Sequence, residues 1–200
     1  MVQAQDVIVD EIELITKQMD LCNDTLKTLD INANESRVRA MLNRLVDDFD
    51  YVEEALIMSN KGVLDIIEPA KYQESEGADV SDQEQIIRLL RDKKPVTSKI
   101  FKVVEGYNAI VYIRPVIVDG NIKVSLAVLI DPAKLFKSRL EPIAAGKHFT
   151  FFVLENTGLV LYDPDPSEIG LNTITDPLYQ AYPEVVKACK IISQGEQGKT

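Results

Sequence analysis

Two hundred residues make between one and two domains at roughly 150 residues each, and 46% apolar against 27% charged residues excludes a disordered or collagen-like chain. The 22 Lys plus Arg against 32 Asp plus Glu leave a formal net charge of −10, which disfavours a nonspecific grip on nucleic acid or anionic lipid. Two cysteines, Cys22 and Cys189, cannot build a disulfide framework or a four-thiolate zinc site.

The first residues lack the basic and apolar regions of a secretory signal, and the most apolar stretch, 124–130, falls far short of the roughly 20 residues that span a bilayer. The chain is expected to be soluble, touching a membrane only through segments outside it. Ile8, Ile12, Ile15, Met19, Cys22, Leu26 and Leu29 are spaced alternately by four and three, the apolar seam of one long helix of about 36 Å. Such a seam serves either as a face packed on its own domain or as a dimer contact. Asn34 or Ser36 caps a second helix through Val38, Met41, Leu42, Leu45 and Phe49. Residues 55–59 and 63–67, joined by Asn60-Lys61-Gly62 and ended by Pro69, read as a hairpin. A polar loop follows, and Ser81 with Glu84 forms a capping box for a helix that closes before Pro95.

Residues 96–104, 108–118 and 122–130 read as three successive strands, with turns near Glu105-Gly106 and at Asp119-Gly120-Asn121, so the neighbours are antiparallel. A short helix over 133–140 leads to a second hairpin, 149–154 and 159–162, which repeats the first: strand, Asn-containing turn with Gly, strand, an acid, then Pro. Helix signals resume at Thr175-Asp176-Pro177 and run through Val185, Val186, Ala188, Ile191 and Ile192. The second unit ends at residues 195–200, where the first would begin its next strands, and so reads as unfinished.

Catalytic chemistry finds little support. His148 is the only histidine, which excludes any site needing two imidazoles, and no Gly-x-Ser-x-Gly elbow exists. Gly198-Lys199-Thr200 lacks the first glycine of a phosphate loop, since Ser193 stands there. The acid pairs Asp47-Asp48, Glu53-Glu54 and Asp163/Asp165 read as solvated faces and caps, and Asp163-Pro164-Asp165-Pro166 as a turn. No cofactor or metal is expected. On the middle strand Ile110, Tyr112 and Arg114 share one face, and Ala109, Val111, Ile113 and Pro115 the other. Tyr112, Arg114 and Asp131 could converge as a small polar site; alternatively Arg114 snorkels to solvent or pairs structurally with an acid. A basic run from Arg88 to Lys102 would steer an anionic ligand, with a carboxylate held by Arg114, hydroxyls from Tyr112 and Tyr72, and any amine received by Asp131.

The order of elements, with the strings Asp79-Val80-Ser81-Asp82, Lys94-Pro95-Val96-Thr97-Ser98, Leu129-Ile130-Asp131-Pro132 and Thr157-Gly158-Leu159-Val160-Leu161-Tyr162-Asp163, resembles the Cache superfamily, the PAS-like extracytoplasmic sensor domains of prokaryotic receptors. The resemblance implies an α+β fold: N-terminal helices over 1–54, a membrane-distal module over 55–140 on a five-stranded antiparallel sheet, and a partial membrane-proximal module over 147–200. It also implies a non-enzymatic, extracytoplasmic sensor region of a transmembrane histidine kinase or chemoreceptor. Such a sensor binds a small molecule between its sheet and residues 68–94. The expected ligand-binding residues are Tyr72, Arg88, Tyr112, Arg114 and Asp131. Relatives that bind amino acids use an acid at the Asp131 position and an Arg-x-Trp-Tyr string, which has no counterpart in this Trp-free chain. A weak homodimer through the N-terminal helix is expected. The competing reading is a ligand-free dimerisation module that signals through that helix.

Overall fold

The computed structural model describes residues 2–103 and 107–194, which fall into two compact units, Met1–Asp131 and Pro132–Thr200. The first opens with α1 (Val2–Thr28), a 3-10 turn (Asn32–Asn34) and α2 (Glu35–Asp48). The hairpin of β1 (Val52–Ser59) and β2 (Leu64–Glu68) is followed by a 3-10 segment (Ala70–Ser75) and α3 (Glu84–Asp92). Short β3 (Val96–Thr97) and β4 (Phe101–Lys102) precede the long β5 (Asn108–Val118) and β6 (Asn121–Ile130). All pairings are antiparallel, in the order β2-β1-β6-β5-β3, with β4 also on β5.

Alternation along the strands explains why both faces are covered. Leu56 and Met58, Val111 and Ile113, and Ala127 and Leu129 join Ile86 and Leu89 of α3 in one apolar cluster. Ala55, Ile57, Leu126 and Val128 point the opposite way, where Ile15, Met19 and Leu26 of α1 and Val38, Leu42 and Leu45 of α2 are buried. The helix-1 seam is thus core of its own unit. Helix α1 lies against β5 and β6, and α2 against β1 and β2.

Several expected boundaries move, each for a local reason. The strand expected over 96–104 is two short pieces because Ser98 Oγ accepts the Val111 N–H at 3.0 Å, a side chain replacing a ladder carbonyl. The end of that strand and the turn at Glu105-Gly106 lie outside the described residues, as do residues 195–200. The Ser81/Glu84 capping box does not form: Gln83 is the N-cap of α3 without a side-chain bond, and Asp79 Oδ1 instead accepts the Ser81 N–H at 2.9 Å. The turn at Asp119-Gly120 does form, both residues having positive φ (51° and 76°), as a two-residue hairpin with right-twisted strands requires.

The second unit comprises α4 (Pro132–Ala144), β7 (Val153–Leu154), β8 (Val160–Tyr162), a 3-10 turn (Pro166–Glu168), α5 (Pro177–Gln180) and α6 (Pro183–Ser193). The helix expected from Pro177 onward is broken in two because Pro183 starts α6. Asp176 caps α5 by accepting the Leu178 N–H, and Asp163 and Asp165 each close a turn on the residue two ahead.

The repeat of the two hairpins extends to individual hydrogen bonds. Ser59 N–H donates to Val63 O, Gly62 to Ser59, Leu64 to Ala78, Gly77 to Leu64 and Val80 to Gly62. In the second unit the same five bonds run from Glu155 to Leu159, Gly158 to Glu155, Val160 to Leu171, Gly170 to Val160 and Thr173 to Gly158. Asp79 and Asn172 then hold the N–H two residues on. Gly62 and Gly158 are equivalent, at φ +83° and +86°, but a Cβ on Gly62 would stand 2.8 Å from the Ser81 backbone, whereas on Gly158 it would meet the end of the Ile174 side chain at 3.0 Å. Gly62→Ala is therefore expected to cost about 2 kcal/mol, more than Gly158→Ala, as read by urea unfolding with unit-resolved hydrogen exchange. Equal costs would show that the loop at Ser81 gives way.

Candidate ligand-binding site

The face of the sheet beneath α3 does not close completely. A cavity of ≈ 180 Å³ remains, floored by Leu56 and Met58 of β1, Val111 and Ile113 of β5, and Ala127 and Leu129 of β6. Leu64 of β2, Ile86 of α3 and Val80, Phe101 and Val103 complete its apolar wall, while its polar groups are Glu54, Ser75, Gln83 and Gln85. A mostly apolar cleft with a few placed polar groups is the usual form of a small-molecule site.

Glu54 is the notable member, a carboxylate only 6% exposed, with Tyr107 Oη donating to its Oε1 at 2.9 Å. Burial, and then the Glu54 charge, push the Tyr107 phenol far above its ordinary range, so it stays a proton donor. A bulge between Val52 and Glu54 in the pairing with β6 sets Glu53 outside the alternation. Tyr72 Oη donates to Glu53 Oε2 at 3.5 Å, and the Lys71 ammonium lies 3.7 Å from that oxygen and 4.4 Å from the Tyr72 ring centre. The reading of Glu53-Glu54 as a solvated pair is corrected: both are tucked into the unit beside two phenols. The signal in the sequence was the parity of Glu54 with the apolar Leu56 and Met58, three residues on one strand face.

The expected site residues do not assemble as one group. Tyr72 is buried in the cluster beneath α3. Tyr112 and Arg114 are on the alternate row of β5 from Val111 and Ile113, which places them on the α1 side; the Arg114 guanidinium meets Asp20 of α1 at 2.5 Å. Arg114 and Tyr112, expected to join one site with Tyr72, are therefore away from the cavity, and for Arg114 the pairing with an acid is the arrangement found. Arg88 is exposed on α3, and Asp131 is half-buried at the end of β6, its N–H donating to Tyr51 O. Neither lines the cavity. The basic run is solvated: Arg91 pairs with Asp92, and Lys93 reaches Gly120 O. His148 is exposed, and among the described residues no group of three metal-binding side chains occurs.

One polar network ties the cavity rim to α2. Arg39 donates from Nε to Glu35, from Nη1 to Glu68 at 3.1 Å and to Glu76 at 2.8 Å, and from Nη2 to the second Glu76 oxygen. Glu76 also accepts the Ile67 N–H, and Glu68 is almost fully buried. Glu76 adjoins Ser75 of the cavity wall, so one guanidinium joins α2, β2 and the rim.

The first unit is thus an antiparallel sheet with a long helix on one face and an apolar cavity under a short helix on the other. Residues 11–132 match the family described as HK/GC/Chemotaxis protein-like, sensor domain, and the chain belongs to that family of sensor domains. Among solved structures it is similar to an extracellular ligand binding receptor from Desulfohalobium retbaense, at 29% identity and a TM-score of 0.69 over 92% of this chain and 33% of that one. The chain therefore spans about a third of that protein's length. It also shares its fold with the ligand-binding domain of the Campylobacter jejuni chemoreceptor Tlp3 in complex with 4-methylisoleucine (13% identity, TM-score 0.64, 90% and 73% covered). The Pseudomonas aeruginosa amino acid chemoreceptor PctC in complex with GABA is a third (16%, 0.61, 92% and 78%). Comparison with curated protein sequences finds no match. No helix among the described residues is long and apolar enough to cross a membrane.

Proposed function

We propose that the chain is the extracytoplasmic sensor region of a transmembrane receptor, with a histidine kinase or chemoreceptor output, and that the cavity beneath α3 binds its small-molecule signal. The observation that carries this reading is the apolar cavity with a buried carboxylate at its edge. Membership of a sensor family supports it. The ligand-binding residues we propose are those of the cavity wall with Glu54 and Tyr107, joined by Tyr72 of the residues expected from sequence; Arg88, Tyr112, Arg114 and Asp131 lie outside that wall. The second unit is proposed to be the opening of a second, membrane-proximal module, a reading favoured by its five repeated loop hydrogen bonds. A weak homodimer through α1 would use Leu14 and Leu21, one heptad apart and 47% and 55% exposed, since the seam itself is buried at Ile15, Met19 and Leu26.

A thermal-shift screen with metabolites tests the binding reading. A ligand present at a hundred times its Kd is expected to stabilise the protein by about 2.7 kcal/mol. Ala127→Phe, which fills the cavity from the sheet, is expected to cancel that shift at an overpacking cost of about 1–3 kcal/mol. A shift that survives Ala127→Phe would place the ligand elsewhere.

A further inference from the structure

We propose that the cavity selects a small uncharged molecule, a hydrocarbon ring or short chain carrying one neutral polar group such as a hydroxyl; this rests on the cavity being the ligand site. The floor sets the size. Ala127, paired in register with Leu56 and Ile113, has the shortest side chain of a floor that leaves ≈ 180 Å³ open. A dry apolar cavity of roughly 150 Å³ holds a benzene ring, so this one suits about seven or eight non-hydrogen atoms, which gain by leaving water.

The charges of the wall are already spent within the protein. Among the described lining residues there is no Lys, Arg or His, and the carboxylate, Glu54, accepts the Tyr107 hydroxyl at 2.9 Å and has a further interaction besides. Its neighbour Glu53 is engaged by Lys71 and Tyr72. The cations that could have met an acid are committed too: Lys71 to Glu53, Arg39 to Glu68 and Glu76, and Arg114 to Asp20 on the other face. An ion entering the cavity surrenders its water and finds every neighbouring counter-charge bonded elsewhere, a cost that an uncharged molecule does not meet. A carboxylate is in addition repelled by Glu54.

What the wall retains for a ligand is neutral. Gln85 Nε2 donates to Gln83 Oε1 at 2.6 Å, which leaves the Gln83 amide nitrogen as a donor and the Gln85 carbonyl as an acceptor, with the Ser75 hydroxyl on the same wall. A hydroxyl both donates and accepts, and so matches the amide pair. A zwitterionic amino acid brings two charges and meets a partner for neither.

The test is isothermal titration of the whole chain with benzyl alcohol, benzylamine and benzoate, which are alike in shape and differ in charge at neutral pH. Benzyl alcohol is expected to bind at least about tenfold more tightly than either ion. Ala127→Phe, which fills the cavity from the floor, is expected to abolish that binding; should it not fold, Val111→Phe fills the same space from β5. Benzylamine or benzoate binding as tightly as benzyl alcohol, and lost in the filled variant, would overturn the selectivity and leave the cavity reading standing. Binding of benzyl alcohol that survives the filling, or failure of all three to bind, would overturn both.

Discussion

Met19→Ala is expected to lower the unfolding free energy of the first unit by about 2–5 kcal/mol, because Met19 is fully buried where α1 crosses the sheet. The lost methylenes and thioether leave a space that Ile15 and Leu26, also fully buried on the same stripe, cannot both fill. Met19→Asp is expected to unfold the unit outright, since a carboxylate there has no water. Changes to Ser at Leu14 and Leu21 are expected to leave stability within about 0.5 kcal/mol and to weaken any self-association in sedimentation velocity. Urea titration of the four variants separates the two faces of the helix. A Met19→Ala variant as stable as the parent, or one that only dissociates, would return the seam to a dimer role.

That seam shows what periodicity delivers and what it withholds. The spacing of four and three located a helix, and the structure makes it α1, but the same spacing suits a partner helix or a sheet. Turn chemistry was more decisive: Asp119-Gly120 and Asp176-Pro177 form the hairpin and the helix start that their residue types demand. The candidate site was less legible because both sheet faces are covered. Alternation separated Val111 and Ile113 from Tyr112 and Arg114, yet nothing in either row tells which face meets a long helix and which keeps a cavity. The charged row attracted attention, and its guanidinium proved to be bound by Asp20. Glu54 is hard to read from sequence because adjacent acids between a helix and a strand usually face water; its burial arises from β1 lying between β2 and β6 in a sheet covered on both faces.

Arg39→Met is expected to cost about 3 kcal/mol, since it leaves Glu68 almost fully buried and Glu76 largely so, both deprived of their cation. Adding Glu68→Gln to Arg39→Met is expected to recover part of the loss, which a double-mutant cycle in urea would read directly. The pH dependence has a defined sign. The Arg39 guanidinium, with the Ile67 N–H, holds the Glu76 carboxyl below the usual carboxylate range against the opposing effect of burial. A lowered folded pKa contributes stability that is complete above the ordinary carboxylate pKa and is lost as the pH falls through the folded value. In Arg39→Met the leading cause of that lowering is gone, so the pH-dependent contribution of Glu76 is expected to shrink and its acid loss, which starts at the same ordinary carboxylate pKa, to be finished at a higher pH. Identical acid limbs for the two proteins would show that Glu76 is held by the backbone alone.

The five hydrogen bonds shared by the two hairpin loops run from backbone to backbone, and of the residues making them only Gly62 and Gly158, Gly77 and Gly170 keep their identity between copies. A scaffold written in main-chain atoms leaves most side chains along it free to drift. In the first unit the loop and its continuation deliver Ser75, Val80 and Gln83 to the cavity wall. Substitutions that recast the chemistry of the cavity wall at those positions therefore meet little resistance from the fold.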